Sequence, residues 1–305
     1  MENISKLLHE KELLESRINK MVHGSIEIRE KNNKKYIYVH FRENGRVVSK
    51  YVGEYSNELY NLILENNKLI NEYKKRLREI NKELDKLKYQ SSELSDKVKL
   101  NIDFARKNLV DSIYKQAQLE GVATTYSDTE TIINGGKVNK MTAADIAKVI
   151  NLKHAWEFIL SEGVIAFPTN YAVLCQINEI VEEGFSYTAG KMRSVPVSIG
   201  GLKYLPPIPY EPEVKDDLKE FLSKEISYET SIEILLYVMK KQLFLDGNKR
   251  TAVIFANHYL ISRGLGLIVI PAELVNEFKV LLINYYESDN QEIKQFLIDK
   301  CLLKI

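Results

Sequence analysis

The chain has 305 residues, of which 45% are hydrophobic and 28% charged, enough for about two domains of ordinary size and too apolar for wholesale disorder. With 43 basic against 42 acidic residues, no global field steers it toward nucleic acid or an anionic surface. No apolar run approaches the ~20 residues that cross a bilayer, and the chain opens with charged helical sequence, so a cytoplasmic protein with no membrane partner is expected. Cys175 and Cys301 are isolated, with neither metal nor disulfide spacing.

The chain opens with an apolar ladder, Ile4, Leu7, Leu14, Ile18 and Met21, whose gaps mark one helical face. His23-Gly24 ends that helix. Strand-like runs follow at 25–29, 36–42 and 47–52, separated by Lys31-Asn32-Asn33-Lys34 and by Glu43-Asn44-Gly45, the second a strong hairpin signal. From about 56 to 89 a breaker-free helix carries the seam Leu59, Ile63, Ile70, Tyr73, Leu77, Ile80, Leu84 and Leu87, with Asn66 in the gap, a coiled-coil rhythm. Loop closure favours the first helix as the partner of this seam; the alternative is a homodimer through the 56–89 helix. Lysines and arginines interleave with Tyr36, Tyr38, Phe41 and Tyr51. Such a pattern can grip nucleic acid, but with little net charge the plainer expectation is aromatics toward the helices and lysines toward water. Residues 1–93 are thus read as a helix, small-sheet and long-helix domain.

From residue 97 to 305 the sequence is mainly helical, with apolar periodicity in 98–121, 126–134, 141–161, 169–183, 213–224, 228–242, 250–263, 271–285 and 290–301. Extended sequence is concentrated at Val195–Ile199, with weaker signals at Tyr204–Leu205 and Leu267–Ile270. The informative stretch is Leu243-Phe244-Leu245-Asp246-Gly247-Asn248-Lys249-Arg250. It reads as helix, polar loop, then a second helix whose free N–H groups point into the loop. Gly, Lys and Arg at a helix start suit a phosphate, and Asp246 suits a magnesium ion bridging phosphates. The plainer alternative is a helical corner capped by Asp246.

This run resembles the Fic/Doc (Fido) motif, H-x-F-x-[DE]-[GA]-N-[GK]-R. Gly190-Lys191-Met192-Arg193 leading into 195–201 is similar to the family's G-x-x-R segment and flap. Tyr114-x5-Glu120-Gly121, with Thr125, Thr129 and Asn134-Gly135-Gly136, is similar to its inhibitory-helix region, and Asn151-x3-Ala155 to the helix after it. The resemblance implies a Fido domain with a β-hairpin flap at about 190–205. It also implies ATP bound with its phosphates on Gly247, Asn248, Lys249 and Arg250, Mg2+ on Asp246, and a protein target held at the flap by Arg193, Val195, Val197 and Ile199. The implied activity is AMP transfer to a protein hydroxyl, or Doc-like phosphate transfer, since Lys249 stands where Doc-type members carry Lys.

The family's catalytic His is replaced by Gln242, and the second motif arginine by Val253. An amide has no useful basicity, and loss of a general base costs ~10²–10⁴-fold in rate. A catalytically silent nucleotide-binding regulator is therefore the rival of the transferase. Glu120 matches the family's inhibitory Glu without that arginine; Gln116 stands at the inhibitory Ser/Thr position. Glu120 is left to pair with Arg250 or Arg193, to supply the missing base, or to stand as a surface residue.

Overall fold

The computed structural model describes residues 2–43, 46–87, 89 and 94–305. The chain divides into two compact units, Lys6–Gln90 and the remainder. The Asn44-Gly45 turn lies outside the described residues.

In the first unit, helix α1 (Glu2–Lys20) leads to strands β1 (Ser25–Lys31), β2 (Lys34–Glu43) and β3 (Arg46–Glu54), then to the 30-residue helix α2 (Asn57–Lys86). The strands form one antiparallel sheet in sequence order. Helices α1 and α2 pair antiparallel within the chain. Arg76 donates to Glu10 at 2.6 and 2.8 Å, and one helical stretch away Asn66 donates to the Val22 carbonyl at 3.0 Å. Asn66, the polar gap in the seam, thus receives a buried backbone partner where α1 ends. Gly24 closes the exit: its φ is +132°, and a Cβ there would meet the His40 carbonyl oxygen at 2.5 Å.

The sheet follows the strand period of two, and Phe41 faces the helices as expected, but the three tyrosines do not. Ile37, Val39 and Phe41 pack on Ile63 and Leu59 of α2. Tyr36, Tyr38 and Tyr51 stand on the other face, Tyr38 and Tyr51 with centroids 5.4 Å apart and Arg29 over Tyr38 at 4.3 Å. Aliphatic β-branched residues won the helix side, leaving the phenols with water.

The second unit is mainly helical. Its helices are α3 (Asp96–Lys107), α4 (Leu109–Leu119), α5 (Tyr126–Ile133), α6 (Ala143–Ile159), α7 (Glu162–Ile165), α8 (Tyr171–Val181), α9 (Glu211–Ser223), α10 (Tyr228–Lys241), α11 (Asn248–Ile261), α12 (Val275–Ser288) and α13 (Glu292–Lys300). Side-chain oxygens of Thr125, Thr142 and Ser227 accept from the third amide of α5, α6 and α10, as N-caps do. The continuous periodicity of 98–121 is broken at Asn108, whose amide donates to the Phe104 carbonyl at 2.8 Å and ends α3. The extended signal at 267–270 becomes β4 (Leu267–Ile268), paired with β5 (Leu302–Leu303). Helix α11 is the centre of the unit: every residue from Arg250 to Ile261 is buried.

The expected flap hairpin is absent. Residues 194–210 carry no strand. Pro196 removes an N–H from the middle of the candidate strand, and Arg193 and Glu287 hold the segment instead. Among the described residues no helix is long and apolar enough to cross a membrane.

Candidate functional site

Helix α10 ends at Gln242, whose backbone is left-handed (φ 47°, ψ 62°), and the loop 243–247 returns to start α11. Phe244, 1% exposed, anchors the loop in the core. Asn248 clamps it from inside. Its Oδ1 accepts from the Phe244 N–H at 2.9 Å, and its Nδ2 donates to the Phe244 carbonyl at 2.8 Å and to Gln242 Oε1 at 3.2 Å. The Asn248 side chain, implied as part of an anion hole, is therefore spent on shaping the loop. The Gln242 amide is spent as well: Nε2 donates to the Met239 carbonyl at 2.6 Å. It neither accepts a proton nor stands free in the loop.

Gly247 caps α11 with φ +73° and no side-chain cap bond, so the first amides of the helix keep their affinity for an anion. Asp246 is largely exposed, and its Oδ1 accepts from the Gly247 N–H at 2.7 Å. Lys249 Nζ lies 3.5 Å from Glu120 Oε1. Arg250 is 3% exposed. Its Nη2 is 2.8 Å from Glu182 Oε1, its Nε 3.7 Å from Glu120 Oε2, and neither Nε nor Nη1 makes a hydrogen bond among the described residues.

Sequence reasoning missed Glu182. It caps the C-terminal end of α8, and its side chain is only 2% exposed. A Cβ on Gly247 would meet its Oε1 at 2.5 Å, so the carboxyl lies flat against the loop glycine. Burial pushes its pKa up to about 7; Arg250 opposes the shift, while Asp246 and Glu120 add to it. Glu182-Glu183 before Gly184 reads locally as an ordinary polar helix exit, and no spacing ties it to Arg250.

Glu120 caps the end of α4 and approaches both Lys249 and Arg250 at salt-bridge distance, not Arg193. Gln116 is buried one turn earlier, donating to the Arg250 carbonyl at 2.8 Å and accepting from Trp156 Nε1 at 3.0 Å. Asn178, also missed, ties three segments together. Its amide donates to the Asp246 carbonyl and to Thr251 Oγ1, both at 3.1 Å, and its Oδ1 accepts from the Gly190 N–H.

Arg193 has a structural place in the fold. It is 3% exposed and donates to the carbonyls of Val195 at 2.8 Å, Pro207 at 2.7 Å and Pro206 at 3.2 Å, and also to that of Gln242. The guanidinium expected to face a target instead staples 194–207 to the end of α10. Val195 is 48% exposed, and Val197 and Ile199 are half-buried. His258 is fully buried between Thr169 Oγ1 and the Val164 carbonyl, which removes it as a substitute base.

A scan against family models matches residues 168–260 to the Fic/DOC family. These residues form a Fic/DOC domain. The segment ahead of it, 4–61, matches a domain of unknown function, DUF6788. A Fic-1 fragment from C. elegans superposes with a TM-score of 0.52 at 18% identity, covering 80% of this chain and 73% of its own. A Fic domain-containing signaling protein from Bacteroides thetaiotaomicron gives 0.52 at 18%, covering 63% and 75%. At that identity the likeness is one of fold. A search of the curated proteins found no match. In the Fic/DOC domain the loop, Phe244, Asp246, Lys249 and Arg250 converge at the start of α11, whereas Gln242 and Arg193 are turned toward backbone.

Proposed function

We propose that this chain is a Fic-type nucleotide-binding protein whose cradle at the start of α11 takes the phosphates of ATP. The observation that carries the reading is Arg250: a guanidinium 3% exposed with two nitrogens lacking hydrogen bonds. Buried donors without acceptors are rare and costly, and phosphate oxygens match them in charge and geometry. Lys249 and the uncapped amides of α11 add donors on the same side. Asp246 fits the role of magnesium ligand. Its carboxylate is exposed, no group of three or more metal-ligating residues exists among the described residues, and a Mg2+ held by one carboxylate completes its shell with phosphate oxygens and water. The ion supplies charge neutralisation for the phosphates.

Glu182 and Glu120 hold this cradle closed when no phosphate is present. A carboxylate on Arg250 imitates the ligand, and a nucleotide enters as Glu182 moves off Gly247 or takes up a proton.

AMP transfer from ATP to a protein hydroxyl is the family-type reaction, and the strand-free segment 195–199, beside the end of α10, is the surface proposed to meet a target. With Gln242 bonded to Met239, the usual catalytic position offers no general base to an acceptor. Transfer then requires an acceptor that arrives ionised, and a hydroxyl acceptor leaves the protein a silent nucleotide-binding regulator. The bonded state of Gln242 favours the regulator. Isothermal titration with ATP and Mg2+, followed by intact-mass measurement, separates the cases. Absence of binding, in the wild type and in Glu182→Ala alike, removes the nucleotide reading. Binding without added mass identifies the regulator.

A further inference from the structure

Away from the cradle, α9, α10, α12, α13 and the segment around Tyr204 border a half-open cleft of about 260 Å³. One stripe of α10 forms its floor: Glu233, Tyr237, Lys240 and Lys241 fall at the i, i+4, i+7 and i+8 positions of one helical face. Lys224, beyond the end of α9, and Lys294 of α13 face them, and Tyr204 and Tyr285 line the side walls. The lining therefore holds four ammonium groups and one carboxylate.

The charges are distributed unevenly. Glu233 is shared by Lys224 at 2.8 Å and Lys294 at 3.5 Å, which leaves that end with a surplus cation. Lys240 reaches Asp289 at 2.7 Å and Lys241 reaches Glu213 at 3.1 Å. Those two acids are not part of the lining and are more than half exposed, so water screens them; Asp217, one-third exposed, lies 3.9 Å from Lys241 and accepts from the Tyr237 hydroxyl at 2.7 Å, so the surplus charge rests with the Lys224–Lys294 end. Inside, Lys240 Nζ lies 4.5 Å from the Tyr285 centroid and 5.7 Å from Tyr204, and Lys241 Nζ 5.6 Å from Tyr237. The ammonium groups over these rings supply the positive charge for an anion, and the ring edges, the positive part of the aromatic quadrupole, offer apolar surface to a planar guest.

We propose that this cleft is a second ligand site, distinct from the Arg250 cradle, for a phosphorylated aromatic compound of mononucleotide size or smaller. The ring system lies among Tyr204, Tyr237 and Tyr285, and the phosphate takes the hydrogen bonds of the Lys224–Lys294 end. The site also touches the chemistry of the loop. Lys240 and Lys241 form the last turn of α10, and Arg193 donates to the Lys241 carbonyl at 3.4 Å, so an occupant bears on the turn that positions Gln242.

The test is calorimetric titration of the full-length protein with phenyl phosphate and with AMP, at two salt concentrations. Three proteins are compared: wild type, Lys224→Ala/Lys294→Ala, and Lys249→Glu. The substituted side chains are each about one-third or more exposed, and a far-UV circular dichroism spectrum and urea unfolding curve of each variant check that the fold is retained. The proposal expects phenyl phosphate to bind wild type and Lys249→Glu equally and the double variant about tenfold more weakly, with affinity falling as salt rises. No heat with phenyl phosphate in the wild type overturns it. So does loss of binding in Lys249→Glu, whether or not the double variant also loses it, because the anion then belongs to the cradle. ATP binding to the cradle is read separately, so the nucleotide reading stands or falls independently of this site.

Discussion

Replacing Glu182 by Gln probes the cradle through its most unusual group. In the fold this carboxyl ionises near pH 7, against 4.5 for an ordinary glutamate, because it is buried beside Asp246 and Glu120. The native state therefore keeps a proton that the unfolded chain has already released. The group stabilises the fold most below about pH 4.5, and that contribution is lost as pH rises through 7. One pKa unit corresponds to about 1.4 kcal/mol, so the wild type forgoes about 3 kcal/mol between those limits. Glutamine keeps the shape without the titration. The variant should exceed the wild type by less than about 1 kcal/mol at pH 5 and by up to about 3 kcal/mol at pH 8. His258 adds the same opposing slope to both curves. Burial holds its pKa at about 4, so stability falls as pH drops below about 6.5, and the subtraction of variant from wild type removes this opposing slope. Urea unfolding followed by fluorescence of Trp156, the one tryptophan of the chain and 1% exposed in the same unit as Glu182, reports the difference at pH 5, 6, 7 and 8. A difference that does not change with pH would refute the argument, and with it the picture of a carboxyl pressed into the cradle.

Asp246→Ala should leave nucleotide binding without Mg2+ unchanged and abolish the gain on adding Mg2+; titrations with and without the ion check this. Gln242→His, at a left-handed position that His tolerates, should add one AMP to the protein when incubated with ATP and Mg2+, seen by intact mass. Arg193→Met leaves the carbonyls of Pro206, Pro207, Val195 and Gln242 without this donor and should cost roughly 1–3 kcal/mol, with 194–210 becoming the first site of limited proteolysis; an unchanged unfolding curve counts against its stapling role.

The helices of the second unit were legible because their apolar periods and caps are local properties, as at Thr125, Thr142 and Ser227. The cradle motif was legible for the same reason: Phe244 to Arg250 is contiguous. What could not be read depends on partners distant in the chain. Glu182 acquires its character from Arg250, 68 positions on, and Arg193 loses its expected freedom to the carbonyls of Pro206 and Pro207. The sheet shows the limit of period without volume. Alternation separated two sets of residues, but which set faces α2 was decided by how Ile37 and Val39 fit against Ile63.

Helix α11 is embedded on all sides, with Lys249 alone reaching outward. The arginine end of the cradle is thus an anvil, and whatever yields must be carried by the two struts that end on it. Both acids sit at the C-terminal tips of α4 and α8, where the helix dipole already disfavours negative charge. Each strut thus carries an acid it holds poorly. On the proposed reading, an incoming phosphate competes with side chains poised to recoil, and the work of opening falls on the last turns of α4 and α8.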